Sequence, residues 1–149
     1  MITKPKILLE TILIMKYNTS PNNITTLQPN EIFVFGSNRS GFHGAGAAKL
    51  AFDKFDAIYG QGVGLQGRSY AIPTKDYYIR RTLTVSEIKL YVDDFILFAN
   101  NNSTLRFLVT EIGCGLAGIN IQDMAPLFKD CLDSDNIYLP ERFVNILVG

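Results

Sequence analysis

The chain has 149 residues, 47% of them apolar and 19% charged, with 14 basic side chains balancing 14 acidic ones. That is the size and composition of one globular domain able to bury a core without cross-links or metals. Zero formal net charge excludes a broad electrostatic surface for nucleic acid or an anionic membrane, but not a local anion site built from backbone N–H groups. Two cysteines, Cys114 and Cys131, and a single histidine, His43, make neither a disulfide framework nor a zinc set. No metal site and no cofactor are expected, and the cysteine usage implies a reducing cytoplasm.

Lys4 and Lys6 precede Ile7-Leu8-Leu9, but Glu10 interrupts the apolar run and no small-residue cleavage site follows. The run is also too short to span a bilayer. Residues 1–15 are expected to be an N-terminal extension or a first strand of a single domain over 1–149, and Met15 leaves the true start open. Ile12–Tyr17 reads as a strand or the end of a short helix. Asn18–Asn30, rich in Asn, Thr, Ser and Pro, reads as mostly loop.

Glu31–Phe35 is a short run of β-branched and aromatic residues, the pattern of a buried strand, ended by Gly36-Ser37-Asn38. A loop over Arg39–His43 leads into a helix that starts on small residues, Gly44-Ala45-Gly46-Ala47-Ala48. A glycine-rich loop follows over Gly60–Gly67. Ser69–Ile72 is a strand stopped by Pro73. Thr84-Val85-Ser86-Glu87 is a capping box, opening a helix with Ile88, Tyr91, Val92, Phe95, Ile96 and Ala99 on one face and Asn100–Asn102 as its end. Arg106–Thr110 is a second buried strand, followed by a glycine loop over Ile112–Ile119. Asn120 caps a helix running to about Leu132, Ile137–Leu139 is a last strand, and Phe143–Val148 is an apolar tail. Alternating strands and helices predict an α/β domain with a mostly parallel or mixed sheet, which places ligands at the carboxyl ends of its strands.

Three glycine-rich stretches invite a phosphate reading. Gly62-Val63-Gly64-Leu65-Gln66-Gly67 has the spacing of a dinucleotide fingerprint in the wrong context, since a helix precedes it and a strand follows. Gly36–Ala48 has the right context, a strand that runs through glycines into a helix whose first N–H groups attract anions. Gly113-Cys114-Gly115-Leu116-Ala117-Gly118 repeats the arrangement after the second strand, where consecutive N–H groups can form a nest. A diphosphate held between these two loops is the simplest model, and tight structural turns are the alternative.

Beside them, the Asn38 amide can donate to and accept from ribose hydroxyls. His43 is a candidate acid–base group, with a hydrogen-bonding spacer as its plainer role. Cys114 is a candidate thiolate, with a small half-buried thiol as its plainer role. Lys75–Tyr78 with Arg80-Arg81 reads as a solvated surface loop, with the rim of a nucleotide site or a partner-facing surface as the alternatives.

Asn23-Ile24-Thr25-Thr26-Leu27, then Ile32–Asn38, then Gly44–Ala48, and later Phe107–Gly118 together resemble the macro domains, in particular a macro-like group of bacteria and phages. The likeness spans Ser20–Leu139. It implies a three-layer α/β/α domain with a mixed, mostly parallel sheet. It also implies binding of ADP-ribose or a related NAD-derived nucleotide, with or without hydrolysis of ADP-ribosyl derivatives such as an ADP-ribosylated protein. By the same resemblance, Asn23 falls where the family's adenine-reading aspartate stands. Ile24 and Ser37 accompany the ligand, and Asn38, the second Asn of the family's Asn pair, meets the distal ribose and an attacking water. The first Asn of that pair falls near Phe35, a departure. Non-enzymatic sequestration of a nucleotide signal, or an interaction module with purely structural glycine loops, stands as the alternative.

Overall fold

The computed structural model describes residues 16–149. Its centre is a six-stranded sheet of β1 (Thr19–Ser20), β2 (Glu31–Asn38), β3 (Gly64–Gln66), β4 (Ser69–Lys75), β5 (Arg106–Val109) and β6 (Ile137–Pro140), in the spatial order β1-β6-β5-β2-β4-β3. Every neighbouring pair is parallel except β3 with β4, so the sheet is mixed and mostly parallel. Helices α1 (Gly46–Lys54), α2 (Val85–Asn100), α3 (Ile121–Met124) and α4 (Glu141–Val148), with a 3-10 stretch over Ala125–Asp133, complete the described residues.

Parallel strands are covered on both faces and therefore apolar without alternation. In β2, Ile32 and Val34 face one core with α2, the 3-10 stretch and α4, while Phe33 and Phe35 face a second core with α1. The result is the three-layer arrangement expected. Helix α2 starts as its sequence predicts, with Thr84 Oγ1 accepting from Glu87 N at 3.1 Å and Glu87 Oε1 accepting from Thr84 N at 3.0 Å. Ile88, Val92, Phe95, Ile96 and Ala99 supply its buried stripe.

Several elements differ from their sequence expectation. The 12–17 segment lies largely outside the described residues, and its last two, Lys16 and Tyr17, form a turn and a bend. Thr19–Ser20, inside an expected loop, is a strand because it docks on β6, and Ser20 Oγ donates to Val109 O at 2.6 Å. Pro73 does not stop β4. The partner strand β3 reaches only Ser69–Ala71, so Pro73 lies beyond its end, on an open flank that lacks any call for an N–H donor. Within Gly60–Gly67, residues Gly64–Gln66 form the antiparallel edge strand. The helix expected over Asn120–Leu132 keeps its cap, Asn120 Oδ1 accepting from Gln122 N at 2.9 Å, but tightens to 3-10 geometry where Pro126 enters. The apolar tail is helix α4, with Phe143 and Val144 buried and Phe143 packed on Phe128. No helix among the described residues is long and apolar enough to cross a membrane.

Buried Asn136 ties the end of α2 to β6, its Nδ2 donating to Ala99 O, Asn102 O and Leu105 O at 2.9, 3.1 and 3.1 Å. Replacing it strands these carbonyls, so Asn136→Ala is expected to cost about 2 kcal/mol. Urea unfolding will read this as a lower midpoint at constant slope; a loss under about 0.5 kcal/mol would assign the carbonyls to water instead.

Candidate functional site

A cleft of about 960 Å³ opens along the carboxyl ends of the parallel strands, where α/β sheets receive ligands. This is at the upper end of small-molecule pockets, which span about 300–1,000 Å³. The strand order sets its layout. Asn22, Asn23, Pro140 and Arg142 line one end, after β1 and β6. The loop after β5 and the start of α1 line the middle. Asn38, Phe42, Lys75 and Ile79, after β2 and β4, line the other end.

The middle is built from unpaired backbone donors. Ala45 precedes α1 with an extended backbone and has no side-chain oxygen to cap it. The N–H groups of Gly46, Ala47 and Ala48 consequently have no protein acceptor among the described residues, as the geometry of a helix start requires. Across from them the turn after β5 closes on itself through Gly118 N to Gly115 O at 3.0 Å and Ile119 N to Gly113 O at 2.8 Å. The N–H groups of Gly115, Leu116 and Ala117 donate to no protein group among the described residues. Gly113 has φ of +79°, a conformation other residues rarely adopt. Gly115 has no such need, and a Cβ added there would meet nothing within 4 Å. Its missing side chain leaves room in the cleft rather than serving the fold.

Asn38 is buried at the bulge where β2 leaves the sheet. Its Oδ1 accepts from Ser40 Oγ at 2.8 Å and Phe42 N at 2.9 Å, and its Nδ2 donates to Phe42 O at 2.9 Å. The amide therefore clamps the 38–42 turn and keeps one N–H to spare. His43 is 1% exposed and stands behind the cleft wall rather than in it. Its Nε2 faces Ile58 O at 2.9 Å and Gln66 Oε1 at 3.1 Å, so this nitrogen carries the proton, and Nδ1 accepts from Ser37 Oγ at 2.8 Å. Gln66 in turn bonds Ile58 N, Gln61 O and Gly64 O. Gly62, from the fingerprint-like stretch, passes so close to Asn38 O that any Cβ would collide with it. That stretch is the buttress of the first loop.

Glu87 ties the far end together. Besides capping α2 it accepts from Arg39 Nη2 at 3.3 Å and from Arg81 Nη1 and Nη2 at 2.9 and 3.1 Å. Arg39 belongs to the 38–42 turn, and Arg81 to the 76–81 turn, where Ile79 holds φ of +59°. Thr82 Oγ1 then donates to Ala117 O at 3.0 Å, reaching the loop after β5. The Arg81 hydrogen bond, followed by that from Thr84 N, holds the Glu87 carboxyl far below its ordinary value of 4.5. Lys75 Nζ has no hydrogen bond or ion pair among the described residues. Arg142 pairs with Glu111 at 3.1 Å. Burial, aided by the Glu111 charge and opposed by Arg142, pushes the Cys114 thiol up to about 11, so it is protonated at neutral pH and no thiolate nucleophile.

Of the residues given a place at the ligand by sequence, Asn23, Ile24, Ser37, Asn38, Gly44–Ala47 and Gly113–Ala117 line the cleft, and His43 and Gly118 do not. Neither do Gly62–Gly67, nor Asp76, Tyr77, Tyr78, Arg80 and Arg81. Phe42, Thr74, Ile79, Glu111 and Arg142, given no role by the sequence, also line it, as does Lys75 from the stretch whose alternative reading was the rim of a nucleotide site. Lys75 had one further legible signal, its place at the end of a strand. Reading Pro73 as a stop hid that, and the 75–81 stretch reaches the cleft at Lys75 and Ile79 as well as forming a surface turn.

No protein-family model and no curated protein matches this sequence. Among solved structures, the macrodomain of Mycobacterium tuberculosis DarG is similar at a TM-score of 0.62 and 19% sequence identity, covering 82% of this chain and 97% of that one. The likeness establishes the fold: this chain is folded as a macrodomain.

Glu87→Gln separates the charge of the tie from its shape. A carboxyl held low in the folded state adds stability that is present above its unfolded value and is lost as pH falls through the folded one. The melting temperature of Glu87→Gln is therefore expected to lie below wild type at pH 7 and to approach it as pH falls below about 4. A gap independent of pH would mean that the arginines do not recognise the charge.

Proposed function

We propose that this macrodomain-fold protein binds ADP-ribose or a closely related NAD-derived nucleotide, with its diphosphate between the start of α1 and the loop after β5. The observation that carries this is the convergence of two sets of unpaired N–H groups, Gly46–Ala48 and Gly115–Ala117, on one cleft. Each set alone is an anion site of a familiar kind. Two facing sets suit a diphosphate, and the cleft continues past them on both sides, so the ligand has an arm at each end. ADP-ribose has that shape. In the orientation implied by the sequence resemblance, adenosine lies toward Asn23 and the distal ribose toward Asn38. The spare N–H of Asn38 suits a ribose hydroxyl, and Lys75 adds a cation at that end. His43, buried and bonded at both ring nitrogens, serves in this proposal as the brace of the first loop and not as an acid or base.

Turnover of ADP-ribosyl derivatives is a second reading, favoured by one observation: the unpaired Lys75 ammonium opposite Asn38 in the β2–β4 register. A cation there would stabilise the negative charge that develops on oxygen when an ester at the distal ribose is hydrolysed. Without turnover, the same site sequesters its nucleotide.

In a thermal-shift series, ADP-ribose is expected to raise the melting temperature and adenosine to do so weakly, because a ligand bound only to the native state stabilises it by mass action. Gly115→Glu places a carboxylate in the diphosphate cradle at a position where a Cβ meets nothing within 4 Å, so ADP-ribose affinity should fall at least about a hundredfold while circular dichroism stays native. Undiminished affinity in the folded variant would put the ligand elsewhere. For turnover, Lys75→Ala should lower kcat on O-acyl-ADP-ribose by about a hundredfold. A wild-type protein that binds ADP-ribose but leaves both this ester and ADP-ribosylated protein intact would settle on sequestration.

A further inference from the structure

Resting on the placement just proposed, we infer that the cleft has a third compartment beyond the distal ribose, an aromatic platform that takes a planar ring carried on that ribose. The preferred ligand is then an intact dinucleotide rather than ADP-ribose itself.

The two ends of the cleft differ in kind. The β1–β6 end is lined by Asn22, Asn23, Pro140 and Arg142, and Phe33, the other aromatic ring in the cleft lining, is only 1% exposed. At the Asn38 end, Phe42 lines the cleft and is 52% exposed. Its ring meets Tyr59 at 5.2 Å, and Tyr59 meets Phe52 at 5.4 Å. Tyr59 and Phe52 are themselves 49% and 45% exposed, so Phe42, the one of the three that lines the cleft, is backed by a contiguous row of rings. Isolated exposed apolar residues need no explanation, but contiguous ones at the mouth of a cleft do.

Phe42 is also fixed in place. The Asn38 amide holds it by both backbone groups, at Phe42 N and Phe42 O. Its ring occupies the space that a Cβ on residue 44 would need, so Gly44 lets the ring lie against the first loop. The pairs along the row are edge-on, with interplanar angles of 75° and 78°. In an edge-on pair one partner offers only its edge, which leaves ring faces open to a further planar group. A flat heteroaromatic ring, neutral or a pyridinium, stacks on such a surface.

The occupant is set by continuity. A ligand whose diphosphate lies on the glycine loops and whose distal ribose lies at Asn38 projects its distal C1 substituent toward Phe42. ADP-ribose offers a hydroxyl there, which wins nothing from the Phe42 ring. A dinucleotide offers a ring. The cleft volume of about 960 Å³ is large enough for the bigger ligand.

NAD+ and ADP-ribose form the test pair, because they differ at that substituent. Calorimetry is run with both on wild type, Phe42→Leu and Phe42→Tyr, with NAD+ checked by chromatography to be intact afterwards. Phe42→Leu keeps an apolar side chain and both backbone bonds to Asn38, and circular dichroism verifies its fold. Wild type is expected to bind NAD+ about tenfold more tightly than ADP-ribose, the scale of one ring stacked on an aromatic side chain. The ratio should fall to about one in Phe42→Leu and return in Phe42→Tyr. ADP-ribose bound as tightly as NAD+ by wild type, or a ratio that survives in Phe42→Leu, overturns the platform while leaving the ADP-ribose site standing. Binding of neither ligand overturns both.

Discussion

The site depends on one topological fact: β2 and β5 are adjacent and parallel, and both release the chain at the same edge of the sheet. A strand that leaves a sheet into a helix or tight turn must abandon several N–H groups. Here two neighbouring strands do so side by side, so their orphaned donors face each other across one cleft. Everything beneath serves to hold that edge in place. Phe33 and Phe35 anchor β2 on one face of the sheet, Ile32 and Val34 on the other, and a strand gripped on both faces cannot shift its register without exposing one of them.

Orphaned donors are useful only if they stay aimed. The polar residues around the cleft act on the loops more than on any ligand. Asn38 closes the 38–42 turn, His43 bolts it to the Ile58–Gln66 segment, and Glu87 joins it through Arg39 to the turn that carries Arg81. Thr82 extends the chain of contacts to Ala117. Groups so preorganised keep their bearing without being paid for at the moment of binding. The histidine is enclosed by these contacts, bonded at both ring nitrogens to Ser37, Ile58 and Gln66.

The legible parts of the sequence were those whose cause is local. The capping box at Thr84, the apolar run of β2 and the two glycine loops each carry their reason within a few residues, and the structure places each where its pattern predicts. The parts that escaped have distant causes. Thr19–Ser20 is a strand only because β6 lies beside it, and Pro73 stays in β4 only because β3 has already ended. The role of Gly62 is written on Asn38, 24 positions earlier in the sequence. His43 sits in a loop by sequence and in the interior by contacts made through Gln66 and Ile58. Lys75 and Arg142 reach the cleft from strand ends that only the sheet order brings together.

A cradle made of backbone donors also relaxes the demand on side chains. What the middle of this cleft requires is a helix start without a blocking side chain, a turn with Gly113 at positive φ, and empty space at Gly115. Many sequences meet those conditions, because main-chain N–H groups are the same in every residue but proline. A net charge of zero is compatible with such unpaired donors, since their charge is partial and fixed to the backbone. It follows that the macrodomain architecture can persist over 82% of this chain at 19% identity. What such a cleft demands is chain path, and that path is kept by the buried faces of β2 and β5 together with the turns that Asn38 and Gly113 close.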